Sequence, residues 1–75
     1  MYDEIRELRK KFDAMDIPSL GDKEISATGE ILEDLFQLYE GGTNSSLLEQ
    51  NIKSVYFNLA RKINLARRMN SNGYI

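Results

Sequence analysis

The side chains that could carry chemistry in this 75-residue chain are mainly carboxylates. Glu30, Glu33, Asp34 and Glu40 fall in one predicted helix, and Glu30 is spaced to share a face of it with Glu33 or with Asp34. Carboxylates on one face can act as general acid and base, or can bind a hard cation. Either use needs further groups converging from other elements, and the sequence offers no such set. We therefore interpret these acids as a solvated face.

The chain lacks the residues that nucleophilic catalysis and zinc binding usually need. The chain contains no Cys and no His, so it has no disulfide, no thiolate ligand and no imidazole to activate a serine. Gly41-Gly42-Thr43 superficially suggests a phosphate loop, but it lacks the GxxxxGK[ST] pattern and follows a predicted helix rather than a strand. We expect no enzyme, no cofactor and no metal site.

A third set of residues has the chemistry of molecular recognition. Cationic, aromatic and amide side chains recur every three or four residues near the C-terminal end of the chain: Lys53, Phe57, Arg61, Asn64 and Arg68. On a helix they would lie about 100–180° from Ile52, which marks the apolar face. An exposed phenylalanine can anchor a protein interface, and arginines bind carboxylates through paired hydrogen bonds. We predict that these five residues contact a partner.

The helix that would position this set is the segment Ser46–Met69, which has no Gly or Pro. Its apolar residues have helical spacing and should face the core: Leu48, Ile52, Val55, Tyr56, Leu59, Ile63 and Ala66. Ser46 and Glu49 match a capping box at its start. The polar tail from residue 70 to residue 75 is expected to be frayed.

Two earlier segments should complete the core. Residues 3–16 have an apolar stripe of Ile5, Leu8, Phe12 and Met15 and should end before Pro18. Residues 23–40 have a second stripe of Ile25, Thr28, Leu32, Leu35 and Tyr39, widened by Ile31, Phe36 and Leu38. Gly29 indicates either a close helix contact or a helix that starts only at Thr28, and Gly41 is the predicted left-handed residue after the helix.

These elements predict an all-α fold in a single domain, residues 1–75. The expected architecture is a small three-helix domain, with an antiparallel hairpin of helices 23–40 and 46–69 and an N-terminal helix at 3–16. A homodimer that buries Leu47, Phe57 or Leu65 is an alternative arrangement, since so short a chain has a thin core.

Charge is distributed unevenly along the chain. Residues 1–44 contain 11 acidic and 5 basic side chains, whereas residues 45–75 contain one acid and five bases. One interpretation is that the basic third helix is neutralised by its acidic neighbours. The other is that its basic residues form a recognition surface. The net charge of −2 argues against general affinity for nucleic acid.

The functional prediction is a non-catalytic protein-binding module. We expect a small acidic regulator or inhibitor, of the antitoxin, immunity or phage-inhibitor type, that occludes an acidic surface of its partner protein. A nucleic-acid-binding regulator that uses the same basic face is an alternative, as is a structural or assembly subunit. The charged N-terminus is unlike a signal peptide and no apolar run reaches about 18 residues, so we expect a cytoplasmic protein without a membrane partner.

Overall fold

The computed structural model describes residues 3–43 and 45–72, with side chains for 3–43 and 45–68. Three α-helices follow one another, α1 (Glu4–Asp13), α2 (Lys23–Glu40) and α3 (Ser46–Asn72), with a 3-10 helix at Ile17–Leu20. Within the described residues there is no strand. Helices α2 and α3 form an antiparallel hairpin, and α1 packs across it. The predicted all-α, three-helix architecture is confirmed.

Helix α1 is shorter than the predicted segment 3–16. The Asp3 carboxylate begins it by accepting hydrogen bonds from two backbone N–H groups of the first turn. The helix ends at Asp13, and the Met15 N–H bonds to the Phe12 carbonyl at 3.0 Å, which tightens the chain before the next element. Pro18 lies in the first turn of the 3-10 helix, where its missing N–H costs nothing. Only a connector was predicted there.

Side-chain oxygens cap the N-termini of both helices of the hairpin. Asp22 Oδ1 accepts a hydrogen bond from the Glu24 N–H at 2.9 Å, and α2 has the predicted bounds. Before α3, Ser45 Oγ accepts from the Leu48 N–H at 3.0 Å. The predicted cap at Ser46 is therefore wrong by one residue, because Ser46 is already helical.

The end of α2 is a Schellman motif displaced by one residue from the prediction. Gly41 has φ −76°, whereas Gly42 has φ +102° and is the residue with positive φ. The Gly42 N–H bonds to the Tyr39 carbonyl at 3.2 Å, and the Thr43 N–H bonds to the Leu38 carbonyl at 3.1 Å. The left-handed assignment of Gly41 was therefore wrong, although the predicted end of the helix at residue 40 is correct.

Helix α3 continues three residues beyond the predicted end at Met69. Asn70, Ser71 and Asn72, which belong to the predicted tail, are helical. Elongation of an existing helix adds one hydrogen bond per residue, so weak helix formers can extend it. The rest of the predicted tail, residues 73–75, lies outside the described residues. No described helix is long and apolar enough to cross a membrane.

The core is formed by one stripe from each helix, as predicted. Its buried hydrophobic residues are Ile5, Leu8, Phe12, Ile25, Leu32, Phe36, Leu48, Ile52, Tyr56, Leu59 and Ile63. Ile31 and Leu38 are exceptions, since they are 55% and 52% exposed instead of widening the stripe of α2. They lie about 100–120° around α2 from Leu32, beyond the sector that α1 and α3 cover.

Gly29 is buried in the middle of α2 and permits a close contact with the 3-10 helix. A Cβ at this position would lie 3.1 Å from Ile17 Cδ1. The helix is continuous through Gly29. Of the two interpretations of this glycine, close packing is therefore the one observed.

Candidate functional site

The outer side of α3 presents most of the predicted partner-binding residues to solvent. Phe57 is 61% exposed, and Arg61, Asn64 and Arg68 are exposed as well. The helix that carries them is unbroken. The Phe57 ring packs edge-on against Tyr56, with ring centroids 5.6 Å apart and planes at 81°. The exposed ring is therefore supported by a buried tyrosine.

Phe57 and Arg61 share a shallow depression of about 400 Å³ with Ser54 and Asn58. Arg61 Nη2 donates a hydrogen bond to Asn58 Oδ1 at 3.2 Å, which orients the guanidinium along the helix. Sequence reasoning missed Ser54 and Asn58. They precede Phe57 and Arg61 by three residues, and this spacing alone places them on the same helical surface.

Lys53, a member of the predicted set, already forms an ion pair with another helix of the fold. Its Nζ lies 3.0 Å from Glu4 Oε2, in an ion pair that joins α3 to α1. Both side chains remain partly exposed, at 39% and 49%. The structure thus places Lys53 beside the other four residues, but with its charge partly neutralised.

Lys62 forms the corresponding contact with α2. Its Nζ lies 3.0 Å from Glu24 Oε1 and donates to Thr28 Oγ1 at 3.2 Å. The interpretation of internal neutralisation therefore holds for Lys53 and Lys62. Within the described residues Arg61, Arg67 and Arg68 are exposed and form no ion pair, so the interpretation of a basic surface applies to them.

We call the exposed residues Phe57, Arg61, Asn64 and Arg68, together with Lys53, the contact face of α3. It lies about 100–180° from Ile52 on the side of the helix nearer α1. Its chemistry is one aromatic anchor, three cations and an amide. It contains no acid, and no residue in it could act as a nucleophile activated by a base.

The acidic residues of α2 are partly engaged by Arg9 of α1, which sequence reasoning did not single out. Arg9 Nη1 donates to Glu33 Oε2 at 2.8 Å, and Arg9 Nε lies 3.5 Å from Glu40 Oε2 and 3.4 Å from Asp13 Oδ2. The guanidinium also lies 5.3 Å from the centre of the Phe36 ring. The predicted solvated acidic face is thus correct for Glu30 and Asp34, which are exposed, whereas Glu33 and Glu40 bind Arg9.

The charge on Arg9 is favoured by its surroundings. Burial alone would lower the pKa of Arg9, but the hydrogen bond to Glu33 and the charges of Asp13, Glu33 and Glu40 raise it above its ordinary value. Arg9 therefore joins α1 to α2 as a permanent cation. Within the described residues, no group of three or more acids could hold a metal ion.

Tyr39 lies at the opposite end of the hairpin from Lys62. Its hydroxyl is 3.5 Å from Asp3 Oδ2, and both residues line a cavity of about 420 Å³ between the start of α1 and the end of α2. Partial burial raises the pKa of Tyr39, and the negative charges of Asp3 and Glu49 raise it further. The contact face contains none of these groups.

Comparisons with protein-family models, with curated proteins and with solved structures found no match for this chain.

Proposed function

We propose that the protein is a non-catalytic binding module that occludes a surface of another protein through the contact face of α3. The observation that carries the proposal is the exposure of Phe57 in the middle of the longest helix, with the exposed side chains of Arg61 and Arg68 further along the same face. Aromatic and arginine side chains dominate the energetics of protein interfaces. A small regulator or inhibitor, of the antitoxin, immunity or phage-inhibitor type, fits this surface.

The cations of the contact face favour a partner with an acidic surface. Arg61 and Arg68 can each form paired hydrogen bonds with a carboxylate. Lys53 could join them, since an exposed ion pair such as the one with Glu4 contributes only about 0–1 kcal/mol and a partner carboxylate could replace it. The proposal places this interaction in the cytoplasm.

Affinity capture with single variants tests the proposal. Phe57→Ala and Arg61→Glu should both lose the captured partner while keeping the helical circular dichroism of the wild type. Lys11→Glu is the matched control, because it makes the same charge change at an exposed position of α1. Retention of the partner by Phe57→Ala and Arg61→Glu, or its equal loss in Lys11→Glu, would refute the contact face.

A nucleic-acid-binding regulator is the second candidate, favoured by the exposed arginines Arg61, Arg67 and Arg68. Arginines that neutralise phosphates make log K fall linearly with log salt concentration. Titration of labelled duplex and single-stranded DNA and RNA at low salt tests this alternative. Absence of binding at low salt would eliminate it, and steep salt dependence would favour it over a protein partner.

The third candidate is a structural or assembly subunit in which α3 packs into a larger array. It predicts large particles whose mass grows without limit as concentration rises. Light scattering of the purified chain separates this outcome from the small, defined complexes that the first proposal predicts.

A further inference from the structure

We infer that a groove between the end of α1, the 3-10 helix and α2 binds a basic segment of a partner protein, in which apolar side chains are flanked by Arg or Lys. The groove encloses a cavity of about 370 Å³. We call it the acidic groove, because carboxylates line its α2 side. None of its residues belongs to the contact face, so the inference is independent of the proposed function.

The base of the acidic groove is apolar. Phe12 and Gly29 are buried, Ile17 is half-buried and Pro18 is exposed. A Cβ at position 29 would lie 3.1 Å from Ile17 Cδ1 and 3.9 Å from Phe12 Cε1, so both side chains lie directly beside the backbone of α2. The surface of Ile17 and Pro18 that remains open to solvent can be removed from water by an apolar side chain of the occupant.

The α2 wall of the groove carries carboxylates that the fold leaves free. Glu30 and Asp34 are exposed, lie one helical turn apart and form no ion pair within the described residues. They lie about 100° and 140° around α2 from Gly29, on the same side as Glu33 at about 40°. Lys23 is on this side as well, but it precedes Glu30 by about two turns and does not line the groove.

Arg9 binds the edge of this wall without neutralising it. Its guanidinium lies 3.4, 2.8 and 3.5 Å from the carboxylates of Asp13, Glu33 and Glu40, so one positive charge meets three negative ones. Oε2 of Glu33 accepts hydrogen bonds from Arg9 and Gln37, whereas Oε1 accepts none within the described residues. The wall therefore keeps an excess of negative charge and at least one free acceptor beside the apolar base.

This combination favours an organic cation attached to an apolar group. Within the described residues no three acids are grouped as metal ligands. Arg9 already shows how a guanidinium fits this side of the molecule, 2.8 Å from Glu33 Oε2 and 5.3 Å from the centre of the Phe36 ring. An Arg of the partner could bind Glu30 and Asp34 through similar charge-assisted hydrogen bonds. The volume is near the lower end of ligand pockets, about 300–1,000 Å³, which suits a few side chains of a peptide.

Fluorescence anisotropy with synthetic peptides tests the inference. The probe is a labelled peptide with the central sequence Arg-Arg-Leu-Phe-Arg-Arg, titrated with the full chain up to about 1 mM in about 0.15 M NaCl. It should bind in this range. Two matched peptides should bind at least about tenfold more weakly, one with Gln in place of each Arg and one with Ser in place of Leu and Phe.

Variants of the chain locate the bound peptide. Glu30→Lys should weaken binding about tenfold, because repulsion replaces attraction. Glu49→Lys makes the same charge change on α3, outside the groove, and should alter binding less than about twofold. Ser26→Phe places a ring in the groove and should abolish binding, whereas Ala27→Phe adds the same ring at an exposed position that does not line it. Circular dichroism should show wild-type helix content in all four variants.

Several results would overturn the inference. They are no binding of the probe up to about 1 mM, equal binding of the Gln peptide, and equal effects of Glu30→Lys and Glu49→Lys. Sedimentation of the chain alone identifies the remaining occupant. Self-association that both Ser26→Phe and Phe57→Ala prevent would show that a second copy, through its contact face, fills the groove in place of a separate partner.

Phe57→Ala distinguishes this inference from the proposed function. It should bind the probe peptide as the wild type does, while losing the partner captured through the contact face. Ser26→Phe should show the opposite pattern. Loss of probe binding in Phe57→Ala would mean that the peptide binds the contact face, and would overturn the assignment to the acidic groove.

Discussion

At the scale of single residues, α3 has a core residue and an exposed aromatic residue only two positions apart. Leu59 is fully buried, whereas Phe57 is 61% exposed. Leu59→Ala should lower the free energy of unfolding by roughly 2–5 kcal/mol, because it removes buried methyl groups and leaves a cavity. Phe57→Ala should change it little. Urea denaturation of both variants measures the difference, and the reverse order of effects would show that the two faces have been assigned the wrong way round.

Gly29 offers a test of the packing between α2 and the 3-10 helix. Alanine favours a helix over glycine by about 1 kcal/mol, but its Cβ would press on Ile17 Cδ1. Ile17→Val removes that atom. Gly29→Ala should therefore stabilise the protein by about 1 kcal/mol in the Ile17→Val background and by less in the wild type. A double-mutant cycle in urea measures the coupling, and equal effects in both backgrounds would contradict it.

The hydroxyl of Tyr39 predicts a dependence of stability on alkaline pH. Its pKa is raised above the ordinary value of 10.0, so the folded state holds this proton more tightly than the unfolded chain. The resulting stabilisation is fully present below pH 10 and is lost as pH rises through the folded-state pKa. The wild-type protein should therefore lose stability relative to Tyr39→Phe as the pH rises above about 10. A stability difference that does not change over this range would refute the assignment.

At the scale of helices, two aspartates at similar positions allow a matched comparison. Asp22 caps α2 through its side chain, whereas Asp16 precedes the 3-10 helix without a side-chain capping bond. Asp22→Ala should cost about 1 kcal/mol of stability and Asp16→Ala almost none. Thermal unfolding followed by circular dichroism measures both variants. Equal losses would mean that charge rather than capping is the cause.

Periodicity was sufficient to predict the three helices. The predicted capping residues were wrong by one position where two neighbouring residues have the same type. Ser45 and Ser46 have the same capping chemistry, and Gly41 and Gly42 can both adopt positive φ. Which member of each pair is used depends on how the hairpin closes. The 3-10 helix was not predicted, because Pro18 indicates the end of one helix without indicating the type of the next turn.

The candidate site could also be predicted only in part. Helical spacing was enough to place Phe57 and Arg61 opposite the core. It could not show that Lys53 reaches Glu4, because that ion pair depends on how α1 crosses α3. Nor could it show that Ile31 is exposed, since this depends on how many neighbours α2 has.

At the scale of the whole molecule, α3 extends beyond the start of α2. Leu65 and Ala66 line a cavity with Asp22, so the following residues continue past the first turn of α2. Native-state hydrogen exchange should show fast exchange for amides 67–72 and the slowest exchange around Leu59. Protection of the two regions to the same degree would indicate that another surface covers the end of α3.

The ion pair between Lys53 and Glu4 has a consequence for how the protein would act in cells. The Lys53 Nζ that joins α3 to α1 also belongs to the contact face. A partner carboxylate that replaced Glu4 would release α1 from one of its contacts, so binding would be thermodynamically linked to the stability of the single chain.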